Sequence, residues 1–137
     1  LIKESGQFAI NLPTESLVRA VDWCGVKSGR EIDKFAACGL HAAPGSVLTD
    51  CPILEESPLN LECKVTQVLE LGSHDMFLAK VTAVQVDESL LDEKGKLDLN
   101  KAHLVAYSHG EYQTFDNILG TFGYSVKKKD KKEKKKH

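Results

Sequence analysis

The stretch Ser28–Phe35, SGREIDKF, sets Arg30 and Lys34 four positions apart, with a serine hydroxyl and the carboxylates of Glu31 and Asp33 among them. Two cations and a hydroxyl so spaced can hold a phosphate through charge-assisted hydrogen bonds. The same spacing also describes the wet face of a short helix. There Arg30 pairs with Asp33 and Lys34 with Glu31, and Glu31 repels an anion. Spacing alone favours the solvated face. A second candidate is His74, in LGSHDMF, where a turn would expose its ring. Asp75 follows it directly, but neighbours on an extended chain point apart. The aromatics Tyr107, Tyr112, Phe115, Phe122 and Tyr124 gather toward the C-terminus. Most are packing residues by type, and one or two could flank a planar ring.

Other chemistries lack a signature. His41, His74, His103 and His109 form no metal spacing, and no H-E-x-x-H, Walker loop, G-x-G-x-x-G or nucleophile elbow is present. No serine or cysteine has a visible base partner, so a hydrolase has no support. Cys24, Cys38, Cys51 and Cys63 stand 14, 13 and 12 residues apart. Without a C-x-x-C pair they read as reduced, mostly buried thiols acting as small apolar residues, not as a zinc site or redox dithiol.

The elements that must carry these residues follow from pattern. FAINL at 8–12 reads as a strand. Leu17, Ala20, Val21 and Cys24 mark an amphipathic helix from Thr14 to Gly25. Ser28 and Glu31 form an S-x-x-E capping box for a second, short helix with Ile32, Phe35 and Ala36 inward and Gly39 at its end. Residues 41–52 read as a loop. Leu59–Leu71 alternates, with Leu59, Leu61, Cys63, Val65, Gln67, Leu69 and Leu71 on one side and Asn60, Glu62, Lys64, Thr66 and Glu70 on the other. GSHD at 72–75 turns the chain, and Met76–Val86 returns as a second long strand. LVAY at 104–107 predicts a short strand and residues 118–126 a last one. The class is mainly β with two inserted helices, and strands this long tend to curl into a barrel.

Apolar content of 42% and charged content of 28% suit a soluble globular chain, and no apolar run reaches membrane-span length. With no signal-peptide profile, the expected location is the cytoplasm. Residues 127–137 hold eight lysines, one aspartate and one glutamate, a net of +6, leaving a net of −8 on the rest. The acidic body argues against nucleic acid as a partner. The expected organisation is one domain over 1–126 and a disordered lysine-rich tail over 127–137.

The segments FAINLP, CGVKSGREIDKFAACGL, LECKVTQVLELGSHDMFLAKVTAVQVDE, LDEKGKLDL and GEYQTFDNILGTFGYSVKKK, in that order, resemble the flavin reductase-like family of FMN-binding split barrels, and within it the flavoredoxin-type proteins. The resemblance implies a split β-barrel, N-terminally incomplete here, that forms a homodimer with FMN near the interface. It implies that Lys34 reaches the flavin or its phosphate, with Ser28, Arg30 and Phe35 in the same shell. It places His74 beside the flavin ring, where a reduced nicotinamide, NAD(P)H, or a redox partner protein approaches, and makes Tyr107 a flanking aromatic. The implied activity is a flavin reductase or electron-transfer protein. Two alternatives stay open: a cofactor-free dimerisation or binding module, and a split barrel holding another planar cofactor such as haem.

Overall fold

A computed structural model describes residues 1–115 and 117–127, so the expected tail lies, beyond Lys127, outside the described residues. Its elements are α1 (Ile2–Ser5), β1 (Gln7–Asn11), α2 (Val18–Val26), α3 (Lys34–Cys38), β2 (Ala42–Ala43), β3 (Ile53–Leu54), β4 (Leu59–Glu70), β5 (Asp75–Val86), β6 (Val105–Ser108) and β7 (Glu111–Thr114). The long alternating run and its return form the predicted hairpin, with Leu59 opposite Val86 and Glu70 opposite Asp75. Strand β1 adds to the other side of β4, Phe8 opposite Cys63 and Ile10 opposite Leu61. The sheet is thus antiparallel in the order β1–β4–β5.

The simple odd–even alternation does not survive the whole of β4. Pairing skips Thr82 between Glu62/Ala83 and Cys63/Val81, and skips Thr66 between Val65/Ala79 and Gln67/Leu78. Each threonine at a skipped position bonds across the strands, Thr66 Oγ1 to the Leu78 carbonyl and Thr82 Oγ1 to the Glu62 carbonyl, both at 3.1 Å. A bulge inserts one residue and reverses which side chains face inward. Gln67 is therefore exposed, while Val68 and Leu69 are both half-buried.

The polar side of β4 is not solvent-facing at its start. Asn60 is buried, and Glu62 is completely so. Glu62 Oε1 accepts from the Ser46 amide (2.7 Å), the Ser46 hydroxyl (2.8 Å) and Gln85 Nε2 (2.7 Å). Its Oε2 accepts from the Val47 and Leu48 amides, both at 2.8 Å. Burial pushes this carboxyl's pKa up, but the donors from Ser46, Gln85, Leu48 and Val47 outweigh it and hold the group ionised far below the usual carboxylate range. The loop at 44–49 is thereby fastened to the sheet. Gly45 is needed there, because a Cβ at that position would lie 2.8 Å from Glu62 Oε2. Around this clasp the apolar core is Leu17, Leu48, Ile53, Leu59, Cys63, Leu90 and Ala102.

Among the described residues the three-stranded sheet has β1 and β5 as its edges and does not close, as an N-terminally incomplete split barrel would leave it. On β5, Met76, Leu78, Val81 and Val84 are each more than two-fifths exposed. Several expectations change. Residues 118–126 form no strand; Tyr124–Val126 is a 3-10 turn after Gly123. The first long helix starts later and runs through Gly25 to Val26. Only Cys63 of the four cysteines is buried; the other three are half-exposed. The strand near 104–107 is present as β6, and β7 pairs with it. Their connection is His109–Gly110, with φ of 51° and 85°. Two successive positive φ values match the twist of a two-residue hairpin turn.

Candidate functional site

The SGREIDKF segment joins α2 to α3, and its local structure differs from the capping-box reading. Lys27 is extended and ends α2. Ser28 then begins a turn: its Oγ accepts from the Arg30 amide at 3.3 Å and its carbonyl from the Glu31 amide at 3.4 Å. The helix starts six residues later than Ser28, at Lys34. Its cap is Asp33, whose Oδ1 accepts from the Phe35 amide (3.0 Å) and the Ala36 amide (3.2 Å). A short carboxylate in the extended cap position reaches those amides directly. A helix from Ser28 would instead have placed Gly29 in its first turn, where glycine costs about 1 kcal/mol against alanine. Gly39, left-handed at φ 64°, closes α3 as the sequence predicted.

Arg30 and Lys34 therefore do not share a helix face. Arg30 is exposed on the turn, and no ion pair holds it among the described residues. Lys34 is half-buried and donates from Nζ to the Cys24 carbonyl at 2.5 Å. That carbonyl belongs to the last turn of α2, where carbonyls lack intrahelical partners and attract a cation. The Lys34 stem folds back over Gly29, its Cε 3.6 Å from where a Cβ there would sit. An ammonium carries three protons, so two remain for another acceptor. Phe35 is half-buried beside it in sequence.

Tyr107 is two-thirds exposed on β6 and packs against Tyr112 of β7, ring centroids 5.1 Å apart and planes tilted by 58°. Tyr112 Oη donates to Asp22 Oδ1 of α2 at 3.2 Å. This contact docks the hairpin on the helix that precedes Ser28. His74 sits at the tip between β4 and β5, its Nδ1 3.0 Å from Ser73 Oγ and its carbonyl accepting from the Leu71 amide. Ser28, Arg30, Lys34 and Phe35 thus share one segment, and Tyr107 connects through Tyr112 and Asp22 to α2, the helix that precedes it. No hydrogen bond, ion pair or ring contact among the described residues links His74 to them.

Two features escaped the sequence. The Cys24 and Cys38 sulfurs lie 3.8 Å apart. The Asp22–Tyr112 contact joins residues ninety apart in sequence. Only packing brings these together, whereas His-Gly between YS and EY was a readable signal for the β6–β7 hairpin. Among the described residues no group of three or more His, Cys, Asp or Glu could hold a metal, and no helix is long and apolar enough to cross a membrane.

A family model described as flavin reductase-like domain matches residues 1–116. The chain belongs to that family. The flavoredoxin of Desulfovibrio vulgaris (Miyazaki F) superposes on this flavin reductase-like domain with a TM-score of 0.83 at 34% identity, over 92% of this chain and 68% of that one. An uncharacterized protein of Archaeoglobus fulgidus is 32% identical over 111 residues, 81% of this chain and 61% of its own length. The FMN reductase (NADH) RutF of Acinetobacter baylyi is 35% identical over 54 residues, 39% of this chain and 27% of the relative. The chain spans about three-fifths of the length of the Archaeoglobus relative. Its mainly β architecture is of the split-barrel flavin reductase type.

Proposed function

We propose that this flavin reductase-like chain takes part in binding FMN and serves a flavin reductase or electron-transfer protein. The observation that carries this reading is the family match running through Ser28–Phe35, a segment on which the Arg30 guanidinium, the Ser28 hydroxyl and the Lys34 ammonium are carried together. The donor set suits a phosphate dianion. Arg30 has no competing ion pair among the described residues, and Lys34 keeps donors beyond the one given to Cys24. Of the two acidic neighbours, Asp33 is turned to its own helix, where two amides engage its Oδ1, and Glu31 is exposed on the turn.

FMN, when bound, supplies the redox chemistry, so the chain needs no acid–base pair of its own. The residues here bind and orient. Lys34 and Arg30 anchor the phosphate, Phe35 and Tyr107 offer aromatic surface to a flat ring, and His74 lines the side open to NAD(P)H or a partner protein. A homodimer with the cofactor near its interface belongs to the same reading, and the exposed apolar residues of β5 support it.

Flavin fluorescence titration of the purified chain tests the proposal. FMN should bind, and Lys34→Ala should raise the dissociation constant about tenfold or more, the loss of one charge-assisted hydrogen bond. His74→Ala should leave that constant alone and slow reduction of bound FMN by NADH. Failure of the wild-type chain to take up FMN would refute the reading for this chain, and an unchanged constant in Lys34→Ala would remove that lysine from the site.

A further inference from the structure

We propose that Cys24 and Cys38 form a reversible intramolecular disulfide, installed by a low-molecular-weight disulfide such as oxidised glutathione, that covalently closes the segment carrying Ser28, Arg30, Lys34 and Phe35. The two sulfurs are 3.8 Å apart and both side chains are half-exposed. A disulfide bond is about 2.05 Å long, so the sulfurs must approach by roughly 1.8 Å. Cys24 lies in the last turn of α2 and Cys38 is the last residue of α3. Both helices are short, and the Lys34–Cys24 hydrogen bond ties the first residue of α3 to the last turn of α2, with Cys38 at the other end of that single-turn helix. Joining them therefore needs a small adjustment of two helix ends rather than a rearrangement of the sheet.

Access is built in. A cavity of about 380 Å³ between the two helices is lined by Leu17, Arg19, Ala20, Trp23, Cys38 and Leu40, among others. Cys38 lines it and is half-exposed, and Arg19, which also lines it, brings a cation for the carboxylates of an oxidised tripeptide thiol. Cys24 is not among the lining residues. Burial and the contact with Cys38 push its thiol up, against the pull of the neighbouring Lys34 ammonium. Cys38 therefore reacts first. Its thiolate attacks one sulfur of oxidised glutathione, forms a Cys38–glutathione mixed disulfide and releases one glutathione thiolate. Cys24, losing its proton to water, attacks the Cys38 sulfur and expels the second glutathione. The sum is two protein thiols plus one oxidised glutathione going to one protein disulfide plus two reduced glutathiones, with two electrons passed to the small disulfide.

The other cysteines serve as internal references. Cys63 is buried and its thiol is pushed up by that burial, so it stays unreacted. Cys51 is half-exposed, with its sulfur 3.6 Å from the Pro52 carbonyl. With no second thiol in contact with it among the described residues, it can carry a glutathione adduct but not resolve it.

The link does not depend on the flavin reading, and its test needs no cofactor. The full chain is incubated under native conditions with oxidised glutathione, quenched with an alkylating agent, and mapped by peptide mass spectrometry with a protease that separates Cys38 from Cys51. The expected product is a Cys24 peptide joined to a Cys38 peptide, lighter by two hydrogens than the two free peptides and separated again by dithiothreitol. Cys24→Ser should leave glutathione standing on Cys38. Three results would overturn the proposal: no cross-link at any glutathione ratio, stable glutathione adducts on both Cys24 and Cys38 of the wild-type chain, or a link to a different cysteine. A flavin titration of the same sample separates the two ideas, since loss of FMN binding leaves the cross-link result untouched.

Discussion

Replacing Glu62 by glutamine removes one negative charge and almost no volume, so it isolates the clasp on the 44–49 loop. Both carboxylate oxygens are fully used, Oε1 by three donors and Oε2 by two. The amide nitrogen that Glu62→Gln introduces is itself a donor. Placed at the Oε2 position it faces the Val47 and Leu48 amides; placed at Oε1 it faces the Ser46 amide and Gln85. Either way one or two of the donors aimed at the buried carboxylate lose their acceptor, each costing about 1–3 kcal/mol where water cannot replace it. Relief from burying a charge offsets part of this, and a net loss of about 1–4 kcal/mol follows. With a urea slope near 2 kcal/mol/M, the unfolding midpoint at pH 7 should fall by about 0.5–2 M. The pH dependence supplies a second check. The native carboxyl titrates below its ordinary value near 4.5, so its contribution is complete above that value and is lost as pH falls, because the unfolded chain takes up the proton first. The gap between wild type and Glu62→Gln should be flat above about pH 5.5 and narrow below pH 4.5 by up to about 1.4 kcal/mol per unit. A loss under about 1 kcal/mol, or a gap unchanged between pH 7 and pH 3, would refute the reasoning.

Other perturbations follow from single contacts. Gly45→Ala drives a Cβ to 2.8 Å from Glu62 Oε2 and should cost about 1–3 kcal/mol in the same urea assay; combined with Glu62→Gln the losses should be less than additive, because both act on one clasp. Asp33→Ala removes the α3 cap and should cost about 1 kcal/mol, with faster amide exchange at Phe35 and Ala36; unchanged exchange would return the cap to Ser28. His41, whose Nδ1 lies 2.6 Å from Glu56 Oε1, is raised above its usual value first by that hydrogen bond and then by the Glu56 charge. Its contribution is present below about pH 6.5 and fades as pH rises through the shifted value. An NMR titration should give a higher midpoint for His41 in the wild-type chain than in Glu56→Gln, and equal midpoints would count against the pairing.

The β4–β5 hairpin was legible because period-two alternation over so many residues has few rival explanations, and the turn residues bounded it. The alternation could not show the bulges at Thr66 and Thr82, since nothing in a threonine announces a skipped partner. Nor could it show that Glu62 is buried: that depends on a loop fourteen or more residues away folding over the strand. The start of α3 was misread because two caps compete. S-x-x-E at Ser28 and Asp33 before a helical run each satisfy the local rule, and the glycine after Ser28 favours the later start. For the candidate site, the segment was visible by charge, and the anion-binding role proposed for it rests on resemblance. The thiol pair stayed hidden because a separation of fourteen residues fits no local motif, and two helix ends must pack before the sulfurs meet.

The Glu62 clasp also sets an order of events during synthesis. Its loop donors precede it by 14 to 16 residues, whereas Gln85 follows it by 23. At about 5–20 residues per second, roughly one to five seconds separate the appearance of the carboxylate from that of its last donor. Through that interval the nascent β4 carries a hydrated charge near its start, among Leu59, Leu61 and Cys63. A charge so placed opposes pairing between neighbouring nascent chains, and it surrenders its water only when β5 arrives to complete the set. The same carboxylate that fastens the finished sheet therefore guards the unfinished one.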